Sequence, residues 1–344
     1  MKIESVVMDA SVDVWLDGRA DATPFHRSAW MRAVSKACGH ETHCLAAKDG
    51  QGGMVGLLPL HEVRSLLFGR ALVSTGFAVS GGILADDADV VRALADAAWA
   101  LAGQRGCPSL ELKGGLLPEG DAWHVSRESY AGFVRPLAAD DDAELLAIPR
   151  KQRAEVRRAL GFDLEVRVGR DAADRKDHYR VYSESVRNLG TPVFSRKLFE
   201  AVLDGFGDDA DILTIRHDGK PVASVLSLYH RGTVMPYWGG GTWDARALRA
   251  NDLMYYALMR HARGRGCTAF DFGRSKFGTG AFAFKKNWGF EPASLAYAVR
   301  TADGAEPRAV NPLNPRYKAK IAIWQRLPLA VANMVGPWIA RGLG

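Results

Sequence analysis

Two stretches in opposite halves of the chain close a helical pattern in the same way and then open a strand. Gln104-Arg105-Gly106-Cys107 ends ADDADVVRALADAAWALAGQRG and leads into PSLELKG. Gly264-Arg265-Gly266-Cys267 ends NDLMYYALMRHARGRG and leads into CTAFDFG. Upstream of each lies a hairpin pattern, β-suited runs flanking turn formers: HCLAAKDGQGGMVGLLPLHEVRS in the first half, and DILTIRHDGKPVASVLSLYHRG, turning at Asp218-Gly219, in the second. The strand TVMPYWGGG precedes the second helix, which Asn251 is expected to cap. A hairpin, a helix and a returning strand, used twice, predict a duplicated α/β unit. The expected division is a first lobe over 1–146, a basic linker helix over 147–162, and a second lobe over 163–344.

Length agrees with this division, because 344 residues exceed what one hydrophobic core usually serves. The 45 Lys and Arg against 39 Asp and Glu leave +6, a mild excess that favours anionic substrates without requiring long nucleic acid. Four cysteines in no paired spacing fit a reducing compartment, and no apolar run resembles a signal peptide or a membrane span. The expected location is cytoplasmic. The apolar segment 327–344, broken by prolines, is expected to cap its domain or, alternatively, to rest on a membrane through Arg326 and Arg341.

The densest chemistry lies in AFDFGRSKFGTGAFAFKKNWGF, residues 269–290. A strand there ends in Gly273-Arg274-Ser275-Lys276. Ends of strands in α/β sheets are where ligand-binding groups are presented, so Arg274 and Lys276 are candidate phosphate contacts, a plain charged turn being the alternative. Phe282, Trp288 and Phe290 read as packing residues. In IPRKQRAEVRRALG, residues 148–161, Arg150, Arg153 and Arg157 share one helix face and Lys151 and Arg158 a neighbouring one. That face suits tRNA phosphates, an acyl carrier protein or a sugar nucleotide, or is simply solvated. CGHETHC, residues 38–44, does not read as a zinc site, since adjacent His43 and Cys44 do not converge on one ion. No nucleophile elbow, Walker loop or H-E-x-x-H is present.

The run FDFGRSKFGTGAFAFKKNWGFEP, together with IPRKQRAEVRR, RNLGTPVFS and NPLNPRYKAKIAIWQRLPLAVANMVGP, resembles the FemAB-like proteins associated with exosortase (PEP-CTERM) systems, in the tandem-GNAT acyltransferase group. The resemblance covers nearly the whole chain. It implies an α/β fold of two GNAT-like lobes, each a mixed sheet flanked by helices, and transfer of an acyl or aminoacyl group to an amine in an exopolysaccharide-linked pathway. It also implies that Phe284 and Lys285 stand at the reacting carbonyl. A fixed ammonium there would stabilise the negative oxygen of the tetrahedral centre; a solvated lysine is the plain alternative.

Several further roles follow from the same resemblance. Tyr182, Arg187 and Thr191 are expected to face the acceptor, a structural turn at Gly190-Thr191-Pro192 being the plain alternative, and Tyr237 and Trp238 to wall the acyl channel or, alternatively, to pack in the core. CoA-binding GNAT loops place glycines before the central helix, where this chain has Arg249 and Asn251, so backbone amides there are not free to close on a pyrophosphate. The donor is therefore expected to be aminoacyl-tRNA or an acyl carrier protein in preference to CoA, with no permanently bound cofactor and no metal. A catalytically silent assembly protein of the same pathway is the alternative.

Overall fold

The structure is a computed structural model that describes residues 1–305 and 315–344, the side chains of 315–318 excepted. Residues 311–314 of the resemblance thus lie outside the described residues. In chain order the strands and helices are β1 Lys2–Ser5, α1 Ala10–Asp17, α2 Ser28–Cys38, β2 Glu41–Lys48, β3 Met54–Ser65, β4 Gly69–Ser74, β5 Leu84–Ala85, α3 Ala88–Gln104, β6 Ser109–Lys113, β7 His124–Pro136, α4 Asp141–Ala147 and α5 Arg150–Leu160. They continue with β8 Glu165–Gly169, α6 Ala172–Asn188, α7 Arg196–Phe206, β9 Ala210–His217, β10 Lys220–His230, β11 Thr233–Gly241, α8 Ala250–Gly264, β12 Ala269–Lys276, α9 Gly280–Asn287, β13 Pro292–Thr301, α10 Pro315–Gln325 and α11 Leu329–Ala340.

The chain forms two compact units: Met1–Glu128 with Leu295–Pro312 and Pro337–Gly344, and Ser129–Ser294 with Leu313–Gly336. In the first, the strands run β1-β2-β3-β4-β6-β13, with β5 also on β3, and all pairings are antiparallel except β4 with β6. In the second they run β7-β12-β11-β10-β9-β8, and the single parallel pairing is β11 with β12. Each unit is thus a hairpin, a third strand, a helix and a strand returning parallel, the duplicated pattern expected from the sequence.

The unit boundaries differ from 1–146 and 163–344. The last strand of each sheet is supplied out of order: β7 follows the first unit in the chain yet pairs with β12, and β13 follows β12 yet pairs with β6. Strand pairing is non-local and leaves no mark in the local pattern. The helix read as a linker is also placed differently. α5 packs on α8 and buries Gln152, Val156 and Ala159, making it a core helix of the second unit.

Local chemistry accounts for the helices. Asp87 caps α3 by accepting from the Val90 amide at 2.8 Å, and Val90, Val91, Leu94, Ala98 and Ala102 bury one stripe in the first core. The β9–β10 hairpin turns at Asp218 and Gly219, both at positive φ, as the Asp-Gly pair predicts. Residues Pro24–His26 form a 3-10 turn, and α2 begins at Ser28. α8 is not capped by Asn251, the residue expected to cap it. Its first turn is preceded by Arg249 in the left-handed region, φ +53°.

Candidate active site

The parallel ladder between β11 and β12 is short. It pairs Thr233 with Ala269 and Val234 with Phe270 and goes no further, although β11 continues to Gly241 and β12 to Lys276. Beyond Phe270, β12 pairs with β7, and that register is broken between Asp271 and Arg274 by a bulge containing Gly273 at φ +69°. The carboxyl ends of the two parallel strands therefore do not hydrogen-bond to each other, the arrangement in which open α/β sheets receive ligands.

The three glycines ending β11 are explained by close packing. A Cβ on Gly240 would lie 2.2 Å from Ser185 Oγ and 2.6 Å from Ser185 Cβ, and one on Gly241 would lie 2.6 Å from Asn251 Oδ1. α6 and α8 can approach the strand only because these side chains are missing. Replacing Gly240 with alanine is expected to destabilise the second unit by about 1–3 kcal/mol, the usual cost of overpacking. Urea unfolding checks this, and Ser185→Gly in the same chain should recover part of the loss.

Lys285, on α9, turns back onto β12. Its Nζ donates to the Arg274 carbonyl at 2.8 Å and lies 5.4 and 5.5 Å from the ring centroids of Phe133 and Phe272. α9 holds this position because Thr279 accepts from the Phe282 amide at its start and Trp288, fully buried, anchors its end. Burial pushes the Lys285 ammonium down to about 8, with Asp271 opposing and Arg274 adding to the shift. Asp271 responds in kind: burial pushes its carboxyl up, against the Gly273 amide, which donates to Oδ1 at 2.8 Å, and the charge of Lys285. A partly dehydrated ammonium coupled electrostatically to a partly dehydrated carboxylate can bind an oxyanion or exchange a proton near neutral pH.

The other sequence-based candidates fall into groups. Phe284 packs at the edge of the second core, 5.8 Å from Tyr255 and 6.0 Å from Phe272. Arg274 stacks over Tyr130 at 4.7 Å, Ser275 buries a hydroxyl without a hydrogen-bond partner, and Lys276 pairs with Tyr130 through the backbone. Tyr237 and Trp238 meet edge to face at 4.8 Å, and Trp238 is buried against Phe199. Tyr182 is buried in the same cluster, stacked on His178. Arg187 donates to the carbonyls of Gln325 and Leu327, and Thr191 accepts from Trp324. These two residues hold α10, a use the sequence did not suggest.

On α5, Arg150, Lys151, Arg157 and Arg158 are exposed, while Arg153 is half-buried and donates to the Leu146 carbonyl. At the start of α8, Arg249 donates to the Arg246 carbonyl and pairs with Glu155 at 2.5 Å. Asn251 buries Oδ1 with no hydrogen-bond partner. Nearby, burial pushes the Asp252 carboxyl up to about 6, and Gln152 donates to it.

Sequence reasoning missed Asp271 and Asp252. A signal for the first was present, a carboxylate set inside the apolar strand AFDF, where charge is rare unless it has a partner. Near the CGHETHC segment the three acid and imidazole groups that converge are Glu41, His43 and Glu62. Arg64, Arg70 and Arg105 already neutralise both glutamates.

Residues 147–286 match the family model described as an acetyltransferase (GNAT) domain. No curated protein sequence matches the chain. Among solved structures, FemX superimposes with a TM-score of 0.66 at 15% identity, covering 87% of this chain and 97% of FemX. A tandem GNAT protein from the clavulanic acid biosynthesis pathway gives 0.52 at 16%, covering 89% and 100%. L-PGS from Bacillus licheniformis gives 0.50 at 13%, covering 98% of each chain. These are likenesses of fold, and with the duplicated sheet pattern they agree on one architecture. Residues 147–286 thus match a GNAT acetyltransferase domain model, and the chain as a whole shares the tandem-GNAT fold of FemX and of the clavulanic acid pathway protein.

Proposed function

We propose that the protein is an N-acyltransferase that moves an aminoacyl or acyl group onto an amine acceptor by direct attack, with Lys285 stabilising the oxyanion. The observation that carries this reading is the Lys285 ammonium, held at the Arg274 carbonyl where the β11–β12 ladder stops. The acceptor nitrogen attacks the carbonyl carbon of an ester or thioester and forms the C–N bond. The carbonyl oxygen takes the negative charge beside Lys285, and collapse expels the alkoxide or thiolate, which receives the proton lost by the amine. Phe284 packs on Phe272, one of the rings beneath this lysine, and Asp271, coupled to the ammonium through its charge, is assigned as the acceptor of that proton.

Aminoacyl-tRNA or an acyl carrier protein is the favoured donor. Two features support it. The backbone before α8 carries Arg249, tied to Glu155 and Arg246, where a pyrophosphate loop needs free amides. The α3 N-terminus is already occupied by the Asp87 carboxylate. Arg150, Lys151 and Arg153 on α5, with Arg274, Ser275 and Lys276, then supply donor or acceptor contacts, and Tyr182, Arg187, Thr191, Tyr237, Trp238 and Asn251 the surroundings of the acceptor and acyl chain. The placement in an exosortase-linked exopolysaccharide pathway, and in the cytoplasm, rests on the sequence resemblance and composition alone.

The test is a donor panel. Purified protein is incubated with charged tRNA, acyl carrier protein or acyl-CoA and a mixture of amines, and the products are read by mass spectrometry. The expected result is an amide from the first or second donor. Turnover with acyl-CoA alone overturns the donor assignment, and no amide from any donor favours a silent assembly protein.

A further inference from the structure

Residues 307–344 contain six Lys and Arg and neither Asp nor Glu. Taking those six from the 45 basic residues leaves 39, against 39 acidic ones, so the entire +6 of the chain lies in this segment. The rest is balanced. Charge so concentrated points to a surface or partner of opposite sign.

The same segment exposes apolar side chains. The inner faces of its helices are fixed by contacts within the second unit: Trp324 Nε1 donates to the Thr191 carbonyl and Gln325 Nε2 to the Asn188 carbonyl, both at 3.1 Å. A Cβ on Gly190 would lie 2.3 Å from Ile321, and one on Gly336 would lie 2.9 Å from the Val193 amide, so both helices are closely seated. Ala332 is buried on that side. What faces outward is Ile323 at 65% exposure, Val331 at 37% and Met334 at 74%, with Arg326 exposed beside them. Val331 and Met334 stand three apart and share a face, and α11 has no charged residue over its 12 positions. A helix apolar on both its packed and its open side is incomplete in water.

We propose that this outer face of α10 and α11 docks on an anionic lipid bilayer. Exposed apolar side chains on a segment whose sequence holds six cations and no carboxylate are what an interfacial helix presents to acidic headgroups. A second copy would set one +6 segment against another, which like-charge repulsion opposes. No helix among the described residues is long and apolar enough to cross a membrane, so the helices lie on the surface and do not span it. The proposal is independent of the acyl-transfer reading.

The experiment uses the full chain and vesicles of phosphatidylcholine, with and without phosphatidylglycerol, separated by sedimentation. The chain is expected to sediment with the anionic vesicles, to remain in solution with the neutral ones, and to be released by salt. Met334→Glu or Ile323→Glu should weaken binding at least roughly tenfold, the scale of burying one large apolar side chain. Arg326→Gln should weaken it about fivefold. All three positions are exposed, so circular dichroism and Tm should not move. No sedimentation with anionic vesicles, equal binding to neutral ones, or variants that bind like the unaltered chain would each overturn the proposal. So would a dimer in light scattering that Met334→Glu dissolves, which would assign the face to a second copy.

Discussion

Replacing Lys285 with methionine is expected to lower kcat for acyl transfer by about a hundred- to a thousandfold, with KM nearly unchanged. That is the scale of losing one preorganised donor at a developing oxyanion, and the kcat-only signature marks an interaction made in the transition state. The pH profile supplies a second reading. With its pKa depressed to about 8, Lys285 carries the useful charge below that pH and loses it above, so activity should fall on an alkaline limb near 8. Lys285→Arg keeps its charge across the accessible range and should retain part of the activity while moving that limb upward.

Stability should respond with the opposite sign. A lysine whose pKa is lower in the folded chain than its usual 10.5 binds fewer protons folded than unfolded, so its penalty is full below about 8 and fades as pH rises to 10.5. Lys285→Met should therefore raise Tm at pH 7, by a margin that shrinks through that window. Thermal melts of both chains from pH 7 to 10.5, beside single-turnover rates, check both directions. A variant that retains kcat within about twofold would remove Lys285 from the chemistry.

Arg135→Ala is expected to destabilise the second unit by about 3–5 kcal/mol, because it strands a buried carboxylate. Glu144 is fully buried and accepts from Arg135 Nη2 and from the Ala138 amide. Arg135 in turn lies 4.8 Å over Phe290 and bonds the Pro136 carbonyl. Replacing both partners with apolar residues, Arg135→Met with Glu144→Leu, should recover much of the loss, since the paired charges gain little net over hydrophobic packing. Urea unfolding monitored at several probes separates the units if they melt apart. A loss in the single variant below about 1 kcal/mol would mean that water reaches Glu144.

The parts of this protein that were legible in the sequence are the local ones. Asp218-Gly219 specified a hairpin because few residue pairs tolerate two positive φ values. The burial of Trp288 and Phe290 followed from aromatic spacing. The capping of α8 was misread because Asn251 is a good cap in isolation, whereas here it fits against Gly241, with Arg249 left-handed before it. Asp271 was passed over because its meaning depends on a lysine fourteen positions later, folded back onto the same strand.

By itself the sequence determined that one α/β unit is used twice, since hairpins, helix stripes and caps are written in neighbouring residues. The tertiary structure alone decided which strands complete each sheet, that α5 is a core helix and not a linker, and that the 285 ammonium is partly dehydrated and coupled to the charge of Asp271. The physical reason is that backbone pairing and desolvation are set by atoms distant in the chain. A residue's own neighbourhood fixes its dihedral preferences, but its charge state depends on what excludes water from it.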